Sequence, residues 1–476
     1  MRFLDPHSDR RFMPTIAAAV MGLPVEAASQ RTLQPPPAPS PVRPGSTPAV
    51  LLISIDGLRP EYVIDTATFG GRLPNLRRMV RDGSYATGVR GVGPSVTYPS
   101  HTTLITGVAP AVHGIIANTT FDPQLKNHGG WYWYASDIRV QTLWGAAAAA
   151  GLRTANVHWP VSVGAPITFN LPQYWRAGTA DDRKLNRLLA TPGLLDRLES
   201  DVGPYADGAD ESIAGDEIRG RFAVRLLESE RPRFMTAYFT ALDREQHEHG
   251  PLGAANPTAM RVLERIDAII GKLSEAARRS AGMDVVVAVV SDHGFVPTSR
   301  ELDLLPLFHE AGLIETDSSG TITSWRASIW AAGGSVAVVL KDREDQNARR
   351  RLWEVVQRLS ADSTSGIARV IDARELATRG AFPSAELLVA LRPGYTSGTE
   401  VVSTVIRPSS VRGMHGYWPD VPEMRSAFFV AGPGVPPGSS MGEIDMRAIA
   451  PTLAALLGVN LPAAEQRTLI GQRAAH

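Results

Sequence analysis

The chain has 476 residues, of which 43% are hydrophobic and 20% charged, as in an ordinary folded protein with one large domain or two smaller ones. Lysine plus arginine number 48, and so do aspartate plus glutamate, which argues against binding long nucleic acid through its phosphates. The sequence has no cysteine, which excludes disulfides, cysteine zinc ligands and thiol nucleophiles.

The first thirty residues have the pattern of an export signal. Three arginines precede a mostly apolar run at 12–25, and small residues follow it. We therefore expect a signal peptide at 1–30 and a periplasmic or secreted protein, with a disordered tail as the alternative. A Pro-rich linker follows at 31–48. No other run approaches the roughly 18 apolar residues that a membrane helix needs, so we expect no membrane span.

Apolar runs of strand length alternate with helical patterns along most of the chain. The runs at 49–55, 234–242 and 284–291 are apolar almost throughout, which is typical of strands buried on both faces of a parallel sheet. Between them lie helix signals, such as Asn256 as an N-cap before Pro257. This alternation predicts an α/β fold with a doubly wound, mostly parallel central sheet and helices on both faces.

Two segments interrupt this alternation. Residues 160–215 lose clean periodicity, and we interpret them as an excursion over the carboxyl edge of the sheet. Residues 300–410 carry strand and helix patterns of their own, which is typical of a small α+β insertion. The sequence therefore predicts a catalytic core at 49–299 and 411–476 with the insertion between the two parts.

Thr97 stands where a Gly/Pro-punctuated loop gives way to a helical pattern that begins near Ser100 and stops at Gly107. A helix N-terminus presents unpaired backbone N–H groups and the positive end of the helix dipole, which favours phosphate-like anions. Taken alone, the threonine is best explained as a helix cap. His101 and His113 follow it, and we interpret both as structural.

Carboxylates and histidines gather at the ends of the apolar runs. Three runs each end in a carboxylate, namely Asp56, Asp243 and Asp292. The histidines close to these ends, or in a later Gly-flanked loop, are His247, His293 and His415. Mixed imidazole and carboxylate ligands suit Zn²⁺, suit Mn²⁺ or Fe less well, and argue against Mg²⁺. Six ligands divide into two open sites, and two ions about 4 Å apart can clamp the attacking and leaving oxygens of a phosphoryl transfer.

Several motifs follow one another in order, each in a suitable strand or loop context. They are LISIDGLRP, SVTYPSHTTLITGVAPAVHGI, ALDREQHEHGP, VVSDHGF and GMHG, with Asn118 after the second. Over roughly 49–475 the chain resembles the nucleotide pyrophosphatase/phosphodiesterase family (type I phosphodiesterase) of the alkaline phosphatase superfamily. This implies an alkaline-phosphatase-like fold. The chain departs from the family at Gln246, where a glycine is more usual, and lacks the disulfides of the vertebrate extracellular members.

The resemblance implies a role for each motif residue. Thr97 is expected to be the nucleophile. Two Zn²⁺ ions per chain are expected, with Mn²⁺ or Fe as alternatives, one held by Asp56, Asp292 and His293 with Thr97 as a further ligand, and the other by Asp243, His247 and His415. Asn118 matches a side-chain donor to a non-bridging phosphoryl oxygen. Tyr98 matches an aromatic residue that can line the leaving-group pocket.

The activity that the resemblance implies is hydrolysis of phosphodiester or pyrophosphate bonds in nucleotides or related small diesters, through a covalent phosphothreonine intermediate. In this hypothesis Asn118 and the backbone N–H of Tyr98 stabilise the charge on the equatorial phosphoryl oxygens. Hydrolysis of phosphomonoesters is the runner-up, and phosphonate hydrolysis on the same site stays open. An exported binding protein with filled but inactive metal sites is a further alternative. The expected partner is a small-molecule substrate.

Overall fold

The computed structural model describes residues 47–127, 130–175, 180–281, 284–401 and 404–470. The predicted signal peptide at 1–30 and most of the linker lie outside these ranges, so both stay predictions. Across the described ranges, every helix is too short or too polar to cross a membrane.

The described elements alternate as α/β folds do. The strands are β1 (Ala49–Ile55), β2 (Ser84–Tyr85), β3 (Gly88–Arg90), β4 (Thr154–Val157), β5 (Phe169–Leu171), β6 (Phe234–Phe239), β7 (Val285–Val290), β8 (Val296–Leu302), β9 (Ile314–Thr316), β10 (Ile322–Trp325), β11 (Ala327–Ala331), β12 (Ser335–Leu340), β13 (Ile367–Asp372), β14 (Leu387–Leu391), β15 (Gly394–Ser397), β16 (Ile406–Pro408), β17 (Gly413–Met414), β18 (Phe428–Ala431), β19 (Ser439–Ser440) and β20 (Glu443–Asp445). The α-helices are α1 (Glu61–Ile64), α2 (Thr66–Phe69), α3 (Pro74–Asp82), α4 (Thr97–Thr106), α5 (Pro110–His113), α6 (Leu143–Ala149), α7 (Ala180–Leu189), α8 (Leu194–Val202), α9 (Ile213–Glu230), α10 (Ala241–His249), α11 (Pro257–Ala281), α12 (Leu305–Glu310), α13 (Gln346–Ala361), α14 (Ala373–Arg379) and α15 (Ile449–Leu457).

A mostly parallel sheet forms the centre of the molecule. Its described strands follow the order β19-β2-β18-β7-β1-β6-β4-β5, and those from β7 to β5 are all parallel, whereas β18 runs antiparallel to β7. Successive side chains of a strand point to opposite faces. In β1, Leu51 and Ile53 therefore pack with α3, α9 and α11 on one face, while Val50 and Leu52 pack with α4, α6 and α15 on the other. The predicted doubly wound α/β architecture is confirmed.

The segment at 300–410 builds a second, antiparallel sheet in the order β11-β12-β14-β13. Leu352 and Val356 of α13 pack against Val338 and Val389 of this sheet in one apolar cluster. β8 already begins before residue 300, so the polypeptide enters the segment in the middle of a strand. The division into core and insertion stays a prediction.

The run at 234–242 ends as a strand earlier than its sequence predicts. β6 ends at Phe239, and α10 begins at Ala241. Asp243 therefore lies in the first turn of a helix and not at the end of a strand. The apolar pattern was misleading because Ala241 and Leu242 are buried in the helix, just as strand residues would be.

Candidate active site

Thr97 is the first residue of α4, three residues before the predicted start. The N-cap residue of this helix, Val96, is extended, and no side chain caps the helix. The hydroxyl of Thr97 therefore does not cap α4 and is directed elsewhere. Its Oγ1 lies 3.4 Å from Nε2 of His293, at the carboxyl edge of the central sheet.

Asp56, Asp292 and His293 form a tight group where β1 and β7 end. Their ligand atoms all lie within 4.8 Å of one another, with His293 Nε2 3.3 Å from Asp56 Oδ1 and 3.2 Å from Asp292 Oδ2. Nδ1 of His293 lies 3.3 Å from the carbonyl oxygen of Gly294, which can only accept, so Nδ1 carries the proton. Nε2 therefore points a lone pair at two carboxylate oxygens, an arrangement that requires a cation or a proton between them.

Asp243 and His247 lie one turn apart on α10, with Asp243 Oδ2 3.4 Å from His247 Nε2. His415 reaches the same aspartate, its Nε2 lying 3.8 Å from Asp243 Oδ1. Nδ1 of His247 donates to the carbonyl of Gly413 at 2.9 Å, which leaves Nε2 as a lone pair. The ligand atoms of Asp243 and His415 form a group within 4.8 Å with His293 rather than with His247. The structure thus brings all six predicted ligand residues into one cluster, with His293 between the two sets.

Three buried carboxylate oxygens of this cluster have no hydrogen-bond partner among the described residues, namely Asp56 Oδ1, Asp243 Oδ1 and Asp292 Oδ2. Two of the other oxygens accept hydrogen bonds: Asp56 Oδ2 accepts from the hydroxyl of Tyr238, and Asp292 Oδ1 accepts from the backbone N–H of Gly57 at 3.2 Å. In the described part of the chain, the ion pairs of these three aspartates are all with histidine. A buried charge without a partner is costly, so this donor set fits divalent cations.

Burial raises the pKa values of the aspartates in this cluster and lowers the pKa values of its histidines. It raises the pKa of Asp56 well above the ordinary value, and the charges of Asp243 and Asp292 raise it further. Burial lowers the pKa of His247 to about 4 and holds the pKa of His293 well below its ordinary value. Burial therefore favours the neutral imidazoles that bind metals, and it disfavours ionised carboxylates in the absence of a cation.

Asn118 and Tyr98 contact each other beside Thr97. The backbone N–H of Tyr98 donates to Oδ1 of Asn118 at 2.9 Å. In the structure this N–H is engaged, so Nδ2 of Asn118 is the donor left in the pair. The hypothesis that the N–H meets a phosphoryl oxygen stays a prediction. The ring of Tyr98 is only 1% exposed and packs against the half-buried Trp131, with ring centroids 5.2 Å apart. The ring of Trp131 also contacts the ring of Trp175, with centroids 4.4 Å apart. Trp131 is more exposed than Tyr98.

Two residues that hold the candidate site in place were missed or undervalued in the sequence. Tyr238, whose hydroxyl bonds to Asp56, lies within the apolar run of β6 and gave only the signal of a buried strand. His101, interpreted as structural, donates from Nδ1 to the carbonyl of Thr97 at 2.8 Å, so Nε2 accepts from Ser54 Oγ at 2.8 Å. The polar Ser54 inside an otherwise apolar β1 was the signal that could have revealed this contact.

Comparison with known proteins places the chain in a family. A family model described as type I phosphodiesterase / nucleotide pyrophosphatase matches residues 50–418. Human ectonucleotide pyrophosphatase/phosphodiesterase family member 1 is 27% identical over 52% of this chain and 24% of its own length. Human bis(5'-adenosyl)-triphosphatase is 24% identical over 53% of this chain and 49% of its own length. The chain therefore matches between about a quarter and a half of the length of these curated relatives.

Solved structures share the fold. Murine ectonucleotide pyrophosphatase/phosphodiesterase 5 matches with a TM-score of 0.62 at 18% identity, covering 87% of this chain and 96% of that one. An inactive threonine-to-alanine variant of the same murine protein, in complex with AMP, matches with a TM-score of 0.62 at 19% identity over the same shares. These likenesses confirm the predicted alkaline-phosphatase-like fold. Since the family model matches most of the sequence, the chain belongs to the type I phosphodiesterase / nucleotide pyrophosphatase family.

Proposed function

We propose that the protein is a metal-dependent hydrolase of phosphodiester or pyrophosphate bonds in nucleotides or related small diesters, with Thr97 as its nucleophile. The observation that carries this proposal is the position of Thr97 Oγ1, at the N-terminus of α4 and 3.4 Å from His293 Nε2, beside carboxylates with unpartnered oxygens. The family supports it, as do relatives named as nucleotide pyrophosphatases and as a bis(5'-adenosyl)-triphosphatase. The inactive threonine-to-alanine variant of the murine neighbour supports a threonine nucleophile.

Two Zn²⁺ ions are proposed, with Mn²⁺ or Fe as the alternatives. Asp56, Asp292 and His293 would hold one ion, with Thr97 as a further ligand, and Asp243, His247 and His415 would hold the other. The unpartnered carboxylate oxygens and the lone pairs at His293 Nε2 and His247 Nε2 support this assignment. When bound, such ions favour the ionised forms of a hydroxyl and of water and stabilise negative charge on the transferred phosphoryl group.

The reaction proceeds in two displacements at phosphorus. Thr97 Oγ1 forms a bond to phosphorus while the bond to the leaving-group oxygen breaks, and the hydroxyl proton ends on the departing alcohol or phosphate. Water then displaces Thr97 from phosphorus, releasing a phosphate monoester such as a nucleoside monophosphate and returning a proton to the threonine. Nδ2 of Asn118 donates to a non-bridging oxygen, where charge develops in both transition states. His101 holds the carbonyl of Thr97 and thereby the first turn of α4.

The deciding experiment compares Thr97→Ala with Thr106→Ala, on zinc-loaded protein with an aryl phosphodiester and an aryl phosphomonoester. Thr106 lies in the same helix, and its hydroxyl donates to the carbonyl of Thr102 at 2.7 Å, away from the cluster. We expect Thr97→Ala to abolish hydrolysis without loss of folding and Thr106→Ala to retain it. Normal turnover in folded Thr97→Ala would end the assignment, and a clear preference for the monoester would favour the phosphomonoesterase alternative.

We also retain export to the periplasm or the medium as a proposal. It rests on the basic, apolar and small-residue pattern at 1–30. Cell fractionation and N-terminal sequencing of the product test it, and recovery of the full-length chain from the cytoplasm would contradict it.

A further inference from the structure

Gln246 connects the two candidate ligand sets through a single glycine. The first set is Asp56, Asp292 and His293, and the second set is Asp243, His247 and His415. Its side chain is fully buried, and Nε2 donates to the carbonyl of Gly57 at 3.0 Å. The N–H of the same glycine donates to Oδ1 of Asp292 at 3.2 Å. Gly57 therefore joins a ligand of the first set, Asp292, to the residue that directly precedes His247 in the second set.

The partners of Gln246 allow its amide only one orientation. Oε1 accepts from the hydroxyl of Tyr62 at 3.0 Å and from the backbone N–H of Leu252 at 3.2 Å. The carbonyl of Gly57 can only accept, so it requires the amide nitrogen on the opposite side. A flipped amide would place two acceptors together at the carbonyl of Gly57 and two donors together at the N–H of Leu252, whereas the hydroxyl of Tyr62 could serve either orientation. The side chain is thus held rigidly and does more than fill space.

Both ends of this connection are closely packed. A Cβ atom at Gly57, where φ is +69°, would lie 2.7 Å from the ring of Phe295 and 2.9 Å from Gln246 Nε2. On the other side of α10, a Cβ atom at Gly413 would collide with the backbone carbonyl of Gln246. The carbonyl of Gly413 in turn accepts from Nδ1 of His247 at 2.9 Å. The helix that carries the second set therefore has little freedom to shift against the turn at 56–57.

We propose that Gln246 is a positioning residue that fixes the spacing between the two metal subsites. This rests on the proposed function, because it presupposes two bound ions. α10 carries both Asp243 and His247, whereas the turn at 56–57 carries Asp56 and bonds to Asp292. A movement of α10 against this turn changes the distance between the sets, and the amide of Gln246 resists that movement.

Partners that orient metal ligands have measurable effects on binding. Their removal typically costs about 10- to 100-fold in metal affinity or activity. A positioning role therefore predicts a change in the binding affinities of the two ions and in the magnetic coupling between them. A purely structural role predicts only a loss of stability.

The test compares Gln246→Met with Tyr62→Phe in the full chain, loaded with Mn²⁺ alone. Gln246→Met keeps the side-chain volume and removes the hydrogen bond to the carbonyl of Gly57. Tyr62→Phe removes one hydrogen bond to Gln246 Oε1 and leaves the bond from Gln246 to Gly57 in place. Calorimetry gives the two stepwise affinities, and electron paramagnetic resonance gives the magnetic coupling between the two ions. We expect Gln246→Met to weaken the second binding step about 10-fold and to broaden or weaken the coupling. Tyr62→Phe should lower thermal stability yet retain wild-type affinities and coupling.

Each other outcome is decisive. Wild-type affinities and coupling in Gln246→Met would overturn the positioning role while leaving the proposed function intact, and so would an equal disturbance in Tyr62→Phe. Failure of the wild-type protein to bind two coupled ions would overturn both proposals. If Gln246→Met does not fold, Gln246→Leu takes its place, because it also removes the donor to Gly57 and adds no charge. Unchanged coupling in Gln246→Leu would likewise overturn the role.

Discussion

The carboxylate of Asp216 accepts the backbone N–H of Ala241 at 2.9 Å, at the first residue of α10. It also accepts the N–H of Thr240 at 3.0 Å and pairs with the guanidinium of Arg219, and all these groups are buried. A negative charge at a helix N-terminus is favourable. Asp216 therefore stabilises the start of α10, the helix that carries the candidate ligands Asp243 and His247.

Asp216→Asn should destabilise the protein, because an NH₂ group replaces one of the buried oxygens that accept from the start of α10 and from Arg219. Leaving a buried donor unsatisfied typically costs about 1–3 kcal/mol of the free energy of unfolding. Asp201→Asn is the matched control, since Asp201 pairs with Arg225 on the surface, where the loss should stay below about 1 kcal/mol. Urea denaturation at neutral pH measures both. Equal losses in the two variants would contradict the role given to the buried pair.

The same residue gives stability a defined pH dependence. Burial raises the pKa of Asp216 from 3.8 to about 6, although Arg219 and the backbone N–H groups oppose the shift. Between these values the folded chain keeps a proton that the unfolded chain has released, so raising the pH lowers the free energy of unfolding, by up to about 1.4 kcal/mol per pH unit. Denaturation of chelator-treated protein over this window should show a shallower decline in Asp216→Asn than in the wild type. Parallel curves would refute the assignment.

Tyr238→Phe should weaken metal binding, because it removes the hydroxyl that holds Oδ2 of Asp56 and orients the carboxylate. The expected loss is about 10- to 100-fold in Zn²⁺ affinity, with hydrolysis restored by excess Zn²⁺. Tyr395→Phe provides the control, as it removes a hydroxyl that donates to the carbonyl of Thr364 at 2.9 Å in the segment at 300–410. Competition with a chromophoric chelator measures the affinity. A Tyr238→Phe variant with wild-type affinity would exclude this role.

The fold could be predicted because buried strands have recognisable apolar sequences. β1 and β7 lie between two helix layers, so they read as continuous apolar runs, and the carboxylates after them mark the edge where ligands bind. The boundary between β6 and α10 could not be predicted, because Leu242 is equally buried in either conformation. The role of Asp216 could not be predicted either, because its hydrogen bonds join residues that are 24 and 25 positions apart in the chain.

The candidate site was predictable in residue type and much less so in detail. Asp56, Asp292 and His293 come within three residues of strand ends, and they meet in the structure. The engagement of the Tyr98 N–H by Asn118 depends on how a loop returns to the helix, which no residue pattern encodes. The place of His293 between both sets depends on ring packing against His415, with centroids 3.7 Å apart, and is likewise a tertiary property.

Asn118→Asp separates the two functions of this amide. The variant keeps an oxygen for the N–H of Tyr98 but replaces the Nδ2 donor by a carboxylate oxygen, so folding should be preserved while the transition state loses a hydrogen bond and meets a like charge. Loss of one such donor typically costs about 10²–10³ in kcat. Steady-state kinetics with an aryl phosphodiester should place the effect in kcat rather than in KM, and thermal unfolding serves as the control for folding. A change confined to KM would show that Asn118 binds substrate and transition state equally.

Removal of metal should abolish hydrolysis and lower thermal stability together. Without cations, Asp56, Asp243 and Asp292 face one another with unpartnered oxygens, and a ligand at 100 times its Kd contributes about 2.7 kcal/mol to stability. Protons compete with cations for these carboxylates, whose pKa values are raised by burial, so metal affinity should fall as the pH is lowered. Metal analysis and thermal unfolding after dialysis at mildly acidic and mildly alkaline pH test both statements. A melting temperature that is unaffected by chelation, or a metal content that increases toward acid, would contradict a metal centre built from these three aspartates.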